Sequence, residues 1–306
     1  MKKITEYFRN AKLNIKFTII IVLFTVVPLC ISIGALFHIM IQDVIDENIS
    51  YMQYTMERNS DNMATRIDSV NMSTQFFLSD DSLKQVLNAS VSGEELSTED
   101  WLKFKNIEVS SLERLVNNNP LLYSVRVYAV NDQVQEMMPI LYSRKRMEKQ
   151  SWAEKEDYTG WNYNYTDNIF SSYTMDQNRK IMSLITPVED RNNGTIGVIE
   201  AAMTMENMFP SLYESIEDEW SCFYTDSGEK YFGENRKPES EKLIEVIKPG
   251  YLNDGEIETS YKESGRKKLV VSGMYIREMS GTLICVKDIS SDINRVRWSR
   301  LLFFIG

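Results

Sequence analysis

The sequence predicts an α+β chain that begins with a membrane-spanning helix, continues as a long helix and ends in two modules, each with a five-stranded antiparallel sheet. Three observations predict this class. Residues 17–41 are apolar and uncharged, a stripe of near-heptad spacing follows them, and one order of strand and helix patterns then occurs twice. The chain has 306 residues, of which 43% are hydrophobic and 25% charged, as in ordinary folded proteins.

Residues 17–41, FTIIIVLFTVVPLCISIGALFHIMI, are the predicted transmembrane helix. They include no Asp, Glu, Lys or Arg, and a helix of this length reaches about 37 Å, which is enough to cross a bilayer's hydrocarbon core. Pro28 is tolerated in a membrane helix because neighbouring groups can satisfy the freed carbonyl. The alternatives fit less well. A cleaved signal peptide has a shorter apolar run, VPLC lacks the small residue of a lipoprotein signal, and a buried soluble helix rarely lacks charge for so long.

Charge predicts how this helix is oriented. The leader, residues 1–16, is basic, whereas Asp43, Asp46 and Glu47 follow the apolar run. Since Lys and Arg are retained on the cytoplasmic side, we expect a cytoplasmic N-terminus and an extracytoplasmic region at residues 42–297 of a cell-membrane protein. The formal net charge is −10 overall and −15 over residues 42–297, because the flanking residues are basic. A surface that acidic repels phosphate backbones and argues against a nucleic-acid partner.

Residues 42–120 are predicted to be helical. No Gly or Pro interrupts residues 42–78, which predicts one helix about 55 Å long. Its stripe consists of Ile45, Ile49, Met52, Met56, Met63, Ile67 and Val70, with Asn59 on the same face. We expect the second half of this stripe to pack on the following domain and the first half to be available for a homodimer seam. Two shorter helices should follow, capped by Ser79 or Asp80 and by Ser97 or Thr98.

Two rounds of strand, strand, helix and three strands fill residues 121–212 and 213–294. The first round predicts strands at 123–130, 138–143, 161–166, 179–190 and 195–204, with a helix at 148–156. The second predicts strands at 219–226, 229–233, 255–262, 267–276 and 282–289, with a helix at 240–248. Asn193-Gly194 predicts a tight hairpin, because both central residues of such a turn need positive φ. Each sheet, with helices on one side, could be stable alone.

Residues 295–306 are interpreted as the start of a second membrane helix. Trp298 would then lie at the membrane interface, where indole is favoured. The arginines beside it oppose the positive-inside rule, and the alternative is an apolar C-terminal strand. On the first interpretation, the part of the protein that acts inside the cell follows Gly306.

The sequence holds no recognisable catalytic, metal or cofactor site. His38, the only histidine, lies in the membrane run, which excludes a serine or cysteine triad and a His/Cys zinc cluster. No phosphate-binding G-x-x-x-x-G-K sequence is present. Cys222 and Cys285 could form a disulfide or be two buried small side chains, and the low cysteine count favours the second.

Three segments carry a family resemblance: KLNIKFTIIIVLFTVVPLCI, KIMSLITPVEDRNNGTIGVIEAAMTMENMF and GTLICVKDISSDINRVRW. With the long helix and the two PAS-like rounds, they resemble the double Cache (dCache) sensor region of bacterial transmembrane receptors. Residues 121–212 would be the membrane-distal module and residues 213–294 the membrane-proximal module. The leader and the proline-containing helix most resemble Gram-positive, YesM-type sensor histidine kinases.

The resemblance implies a small-molecule sensor that passes its signal through the membrane to a kinase core and a response regulator of a two-component phosphorelay. Two alternatives are the sensor region of a chemoreceptor and a membrane-anchored surface binding protein without signalling output. The ligand would be a sugar, a peptide or another small solute. Amino-acid-binding modules of this family carry Arg two residues before a Trp-Tyr pair, whereas here Gln150 and Ala153 flank Trp152, which argues against an amino acid.

The resemblance also places the ligand between the distal sheet and the segment that links its second and third strands. Aromatic walls with a few polar groups are typical of small-molecule pockets. The candidate ligand-binding residues are Arg126, Tyr128, Tyr142, Trp152, Tyr158, Trp161 and Asp190. The alternative is that these aromatic residues belong only to the core.

Overall fold

One helical rod organises the fold. The computed structural model describes residues 12–169, 179–214, 216–233, 240–248 and 250–305, so most of the predicted leader lies outside the described residues. The rod consists of α1 (Leu13–Ile21), a π-helical turn (Val22–Val26) and α2 (Val27–Leu78). The widened turn ends two residues before Pro28, which has no N–H to bond the carbonyl one turn back.

The first part of the rod has the composition of a membrane span. It is the one helix among the described residues that is long and apolar enough to cross a membrane, with a mean hydropathy of 2.8 over its most apolar 18 residues. Its large side chains, such as Phe17, Phe24 and Leu36, are exposed on the folded chain. An exposed apolar helix of this kind suggests membrane anchoring.

The apolar stripe predicted on α2 packs against other segments of the same chain. Met52, Met56, Met63 and Val70 are almost fully buried against the modules, whereas Ile49 is only partly buried. Packing of the second half on the following domain is therefore confirmed. The first half of the stripe is also covered by the chain itself, so a homodimer, which remains a prediction, would need another face of α2.

Three short helical segments follow the rod: α3 (Asp81–Ser92), α4 (Thr98–Lys103), which continues through a π-helical turn (Phe104–Glu108), and α5 (Val109–Asn117). Asp80 caps α3 by accepting a hydrogen bond from the Leu83 backbone N–H at 2.7 Å. Ser97 caps α4 by accepting one from the Asp100 N–H at 3.1 Å. Two of the predicted caps are thus confirmed.

The distal module contains a five-stranded sheet in the order β2-β1-β5-β4-β3. Its strands are β1 (Leu122–Ala129), β2 (Leu141–Tyr142), β3 (Gly160–Tyr165), β4 (Ile181–Asp190) and β5 (Gly194–Thr204). All pairings are antiparallel except that of β1 with β2, because the eleven-residue connection loops back so that Leu141 and Tyr142 run beside Val127 and Tyr128 in the same direction. The predicted helix at 148–156 is instead α6 (Arg144–Met147) and a 3₁₀ turn (Ser151–Glu154), separated by extended Gln150.

The proximal module repeats this architecture with the order β7-β6-β10-β9-β8, and every pairing is antiparallel. Two short helices connect the modules, α7 (Met205–Met208) and α8 (Pro210–Tyr213). The other elements are β6 (Glu219–Thr225), β7 (Lys230–Phe232), α9 (Ser240–Ile247), β8 (Ile257–Ser264), β9 (Lys267–Ile276), a 3₁₀ turn (Arg277–Met279), β10 (Gly281–Asp288) and α10 (Ser290–Ile305). Because residues 290–305 are helical, the alternative of a C-terminal strand is wrong.

A continuous apolar core joins the two modules along α2. It includes α2 side chains such as Met56 and Phe77, the facing side of the distal sheet, and proximal side chains such as Phe223 and Leu283. The opposite face of each sheet carries a separate cluster, around Trp152 in the distal module and around Trp220 in the proximal module. The distal module's separate cluster lies in the region where the family resemblance predicts a ligand.

Cys222 and Cys285 are buried thiols that are not disulfide-bonded, and they lie on opposite faces of the proximal sheet. The pairing register sets Cys222 opposite Ile284 and Cys285 opposite Ser221. Since neighbouring residues of a strand point to opposite faces, the two sulfurs cannot bond without refolding of the sheet. The alternative of two buried thiols is the one that forms.

We therefore expect both thiols to be present and unreactive in the folded protein. Burial raises the pKa of the Cys285 thiol to about 11, and the thiolate is the reactive species. A chromogenic disulfide reagent should modify neither cysteine under native conditions and both in guanidinium chloride without reductant. The exposed variant Tyr251→Cys provides the positive control. If the unfolded protein showed two reactive thiols fewer than this, Cys222 and Cys285 would be paired in a disulfide.

Candidate functional site

A buried polar cluster occupies the outer face of the distal sheet. Arg126 of β1 lies directly opposite Glu200 of β5 in the antiparallel register, and Tyr128, two residues further along β1, points to the same face. The Arg126 and Glu200 side chains are 7% and 0% exposed. Charges so deeply buried persist only if they are paired and hydrogen-bonded.

Glu200 is the centre of this cluster. Its Oε2 accepts a hydrogen bond from Tyr128 Oη at 2.6 Å and lies 3.6 Å from Arg126 Nη1. Its Oε1 accepts from Trp152 Nε1 at 2.8 Å and from Tyr165 Oη at 2.7 Å. Three neutral donors and one cation thus offset the cost of burying this carboxylate.

Asp167 occupies the guanidinium fork of Arg126. The two side chains form a bidentate pair, with Nη1–Oδ1 at 3.1 Å and Nη2–Oδ2 at 2.5 Å. Gln150 Nε2 donates to Oδ1 at 3.1 Å and Tyr123 Oη to Oδ2 at 3.2 Å. The segment after β3 is therefore fixed to β1 and to the β2–β3 connection through this one carboxylate.

The cluster shifts the pKa values of Asp167, Tyr128 and Tyr165 in directions that keep Asp167 ionised and both tyrosines neutral. Burial by itself would raise the pKa of Asp167, but the hydrogen bonds and charge of Arg126 outweigh it and hold that pKa below its ordinary value. Burial, together with the neighbouring Glu200 carboxylate, raises the pKa of Tyr128 and of Tyr165. Both hydroxyls therefore remain protonated donors at neutral pH.

Aromatic rings close the cluster on its outer side. The Tyr128 ring lies 5.9 Å from that of Trp152 and 5.8 Å from that of Tyr142 between centroids. Trp152 packs in turn on Tyr158 at 5.6 Å. Trp152 and Tyr142 are about 1% exposed, whereas Tyr158 is only partly buried and forms the edge of this wall.

A bulge in β3 decides which of its aromatic residues reach the cluster. Asn162 pairs with Ser183 and Tyr165 with Ile181, so three steps on β3 match two on β4. The extra residue, Asn164, has a φ of 54°, which asparagine tolerates better than most residues. Tyr165 therefore points into the cluster, while Trp161 and Tyr163 point to the α2 side.

The structure brings together five of the seven predicted residues: Arg126, Tyr128, Tyr142, Trp152 and Tyr158. Trp161 lies on the opposite face of the sheet, opposite Leu184, and packs against the main core. Asp190 lies at the β4–β5 turn, where it accepts bonds from the Asn192 and Asn193 N–H groups and from the Asn88 amide. That ligands contact any of these residues remains a prediction.

The sequence analysis missed five residues that bond within the cluster: Tyr123, Gln150, Tyr165, Asp167 and Glu200. Glu200 had a detectable signal, because it is the only charged residue in TIGVIEAAMT and a lone charge in a buried strand needs a partner. Strict alternation puts Tyr165 on the same face as Trp161, and the bulge that sends the two residues to opposite faces has no signal in the sequence. Asp167 and Gln150 are polar residues in connecting segments and carry no periodic signal.

Acidification should remove the stability that Asp167 contributes. Because its folded pKa lies below the ordinary 3.8, the ionised pair stabilises the fold fully above that pH, and the contribution is lost as the pH falls through the folded value. Unfolding free energies should therefore decline more steeply from pH 5 to pH 2 in the parent than in Asp167→Asn. Equal slopes in the two proteins would contradict the assignment of this pair.

Comparisons with known proteins give similarity only at the level of solved structures. No protein-family model matches the sequence, and no curated protein matches it. The extracellular domain of a protein described as a histidine kinase, vpHK1S-Z8, is 10% identical and aligns over 83% of this chain and 95% of its own, with a TM-score of 0.49.

Two further similar structures come from chemoreceptors. The periplasmic sensory domain of Campylobacter jejuni Tlp1 is 9% identical over 79% of this chain and 93% of its own, with a TM-score of 0.46. The ligand-binding domain of Pseudomonas aeruginosa PctB, in complex with L-Arg, is 12% identical over 81% and 97%, with a TM-score of 0.41. Identities and scores this low carry no information about the ligand or output of this chain.

Proposed function

We propose that residues 42–297 form the extracytoplasmic sensor unit of a membrane receptor. A small polar molecule binds at the cluster on the outer face of the distal sheet, and its binding shifts the module between two packings. The receptor is a YesM-type sensor histidine kinase, which passes the signal to a kinase core and a response regulator inside the cell. A chemoreceptor sensor region is the second candidate, since the same ectodomain can be joined to a different output.

One observation carries this proposal: both ends of the two-module unit are tied to the same helical rod. The rod is continuous from the apolar segment at Leu13 to Leu78, and its second half packs on both modules. At the other end, α10 packs on the rod through buried Ile293, and the Lys287 ammonium lies 4.1 Å from the Tyr51 ring centroid. A change in module packing therefore moves both segments that lead toward the membrane.

The hydrogen bonds already formed within the cluster limit the class of ligand. The Arg126 fork is already filled by Asp167, and each Glu200 oxygen is already hydrogen-bonded. With one cation and two carboxylates, the cluster carries a formal charge of −1, so it offers no unpaired cation to an anionic ligand. A sugar, a peptide or another small polar solute would have to exchange these hydrogen bonds for its own, which supplies the differential affinity that signalling needs.

A thermal-shift screen of the full chain in nanodiscs tests ligand binding. Individual monosaccharides, disaccharides, amino acids and short peptides serve as the probes. A ligand present at about 100 times its Kd should stabilise the folded state by about 2.7 kcal/mol, which gives a clear rise in midpoint. The rise should be lost in Tyr158→Ala, at the edge of the aromatic wall, and kept in Trp161→Phe on the opposite face.

Two outcomes would contradict the proposal. One is a screen in which no probe raises the midpoint, which would remove the support for direct sensing by this module. The other is a stabilising probe whose effect is unchanged in Tyr158→Ala, which would place its site elsewhere in the chain.

A further inference from the structure

The 3₁₀ turn Arg277–Met279 of the proximal module is in contact with both the distal sheet and the rod. Tyr163 Oη, from β3 of the distal sheet, donates a hydrogen bond to the Met279 carbonyl at 2.6 Å. Asn71 of α2 donates to Glu278 Oε2 at 3.4 Å. The turn thus lies where three parts of the molecule meet: the distal sheet, the proximal sheet and α2.

Aromatic packing fixes Tyr163 at this junction. Its ring lies 5.4 Å from that of Phe223 and 5.7 Å from that of Tyr231, both in the proximal sheet. Burial raises the pKa of the Tyr163 hydroxyl, so it remains a donor. Gly281 follows the turn, and a Cβ there would come within 2.5 Å of the Phe223 ring. This junction has little free space in which Tyr163 could move independently of the turn.

Tyr163 is also adjacent to the distal cluster through the bulge of β3. Asn164, the bulged residue with positive φ, separates Tyr163 on the α2 side from Tyr165 on the cluster side. Tyr165 Oη donates its one proton to Glu200 Oε1 at 2.7 Å and lies 2.6 Å from Ser183 Oγ, whose hydroxyl can donate to it. The two tyrosines on either side of Asn164 therefore anchor to different modules, and because they are only two residues apart on β3, a shift of one is passed to the other.

We propose that the Tyr163-Asn164-Tyr165 bulge is the mechanical link between the distal cluster and the proximal module, with Tyr163 as the positioning residue. Release of Tyr165 from Glu200 lets the bulge relax and loosens the hydrogen bond from Tyr163 to the Met279 carbonyl. The turn then becomes more mobile, and the contact between Glu278 and α2 weakens. This inference rests on the proposed function. It describes how ligand binding at the cluster is transmitted to the proximal module.

Two backbone amides report the state of the turn. The Ser280 N–H donates to the Arg277 carbonyl at 3.0 Å, and the Asp226 N–H donates to the Ser280 carbonyl at 2.8 Å. Ser280 itself has a φ of 47°, a conformation that surrounding contacts must hold in place. Loosening of the turn should therefore appear as faster hydrogen exchange at these two amides.

Hydrogen exchange of the full chain in nanodiscs, without any ligand, tests the link. Tyr165→Phe removes the cluster anchor and should speed exchange of the Ser280 and Asp226 amides by roughly fivefold, the factor that one net hydrogen bond supplies. In a Tyr163→Phe background, where the turn is already released, Tyr165→Phe should add no further increase. Asp167→Asn serves as a second perturbation of the cluster if Tyr165→Phe alters the fold.

A matched background separates the link from general loosening. Tyr261 of β8 is also partly buried against the core, but its hydroxyl donates to neighbouring Glu263 at 2.6 Å rather than to the turn, so Tyr261→Phe should preserve the full effect of Tyr165→Phe. An effect of equal size in the Tyr163→Phe background, or no effect in the parent, would overturn the proposal. Because no ligand is used, a negative screen and a failed exchange test remain distinguishable.

Discussion

Replacing Arg126 with alanine is expected to lower the free energy of unfolding by about 3–5 kcal/mol, because it leaves buried carboxylates without their cation. Asp167 would lose both bonds to the guanidinium fork. Glu200, which is fully buried, would lose the only cationic side chain within 4 Å among the described residues. The effect should far exceed that of an ordinary surface substitution, which usually stays within about 0.5 kcal/mol.

Chemical denaturation followed by tryptophan fluorescence measures this change, since Trp152 lies within the cluster. The control is Arg144→Ala, which removes a comparable hydrogen-bonded pair with Glu148 at 2.8 Å whose side chains are more than half exposed. Exposed pairs contribute about 0–1 kcal/mol. Equal losses in the two variants would show that the buried pair is not formed in the folded protein.

The substitution Thr65→Pro in α2 should lower the free energy of unfolding by about 3 kcal/mol or more. Proline has no backbone N–H to donate, and its ring collides with the carbonyl one turn back. Thr65 is exposed, and its side chain bonds only to the Asp61 carbonyl. The neighbouring Met63 and Ile67 belong to the continuous core. A kink at this point would therefore disturb the packing of α2 on the modules as well as the helix itself.

Thr65→Ala is the matched control, since it keeps the backbone amide and removes only the exposed side chain. We expect it to change the unfolding free energy by less than about 0.5 kcal/mol. Circular dichroism and denaturation of the two variants in nanodiscs provide the comparison. A proline variant as stable as the alanine variant would show that the rod is not a continuous helix at this position.

Much of the fold could be predicted because its signals are local. The steps of three and four in residues 45–70 predicted the buried face of α2, and Asp80 and Ser97 predicted helix starts. Alternation and turn residues located the strands within a few residues. These features depend on residues close together in the sequence, so they could be predicted from the sequence alone.

The features that the sequence did not reveal depend on contacts between distant segments. Asp167 and Arg126 are 41 residues apart in the chain, and no spacing rule connects them. The bulge at Asn164 turns Tyr165 to the face opposite Trp161 and Tyr163, because a one-residue insertion shifts every following side chain to the other face. The parallel pairing of β2 with β1 likewise depends on the path of the segment that connects the two strands, which has no local signal in the sequence.

Cysteine labelling of intact cells tests the central claim, that the acidic two-module unit faces the exterior. A membrane-impermeant maleimide is applied to Tyr251→Cys, at a position that is 94% exposed in the proximal module, and to Lys12→Cys before the membrane segment. Both variants carry Cys30→Ala, and the buried Cys222 and Cys285 remain. We predict labelling of Tyr251→Cys in intact cells and of Lys12→Cys only after permeabilisation. The reverse pattern would contradict the account.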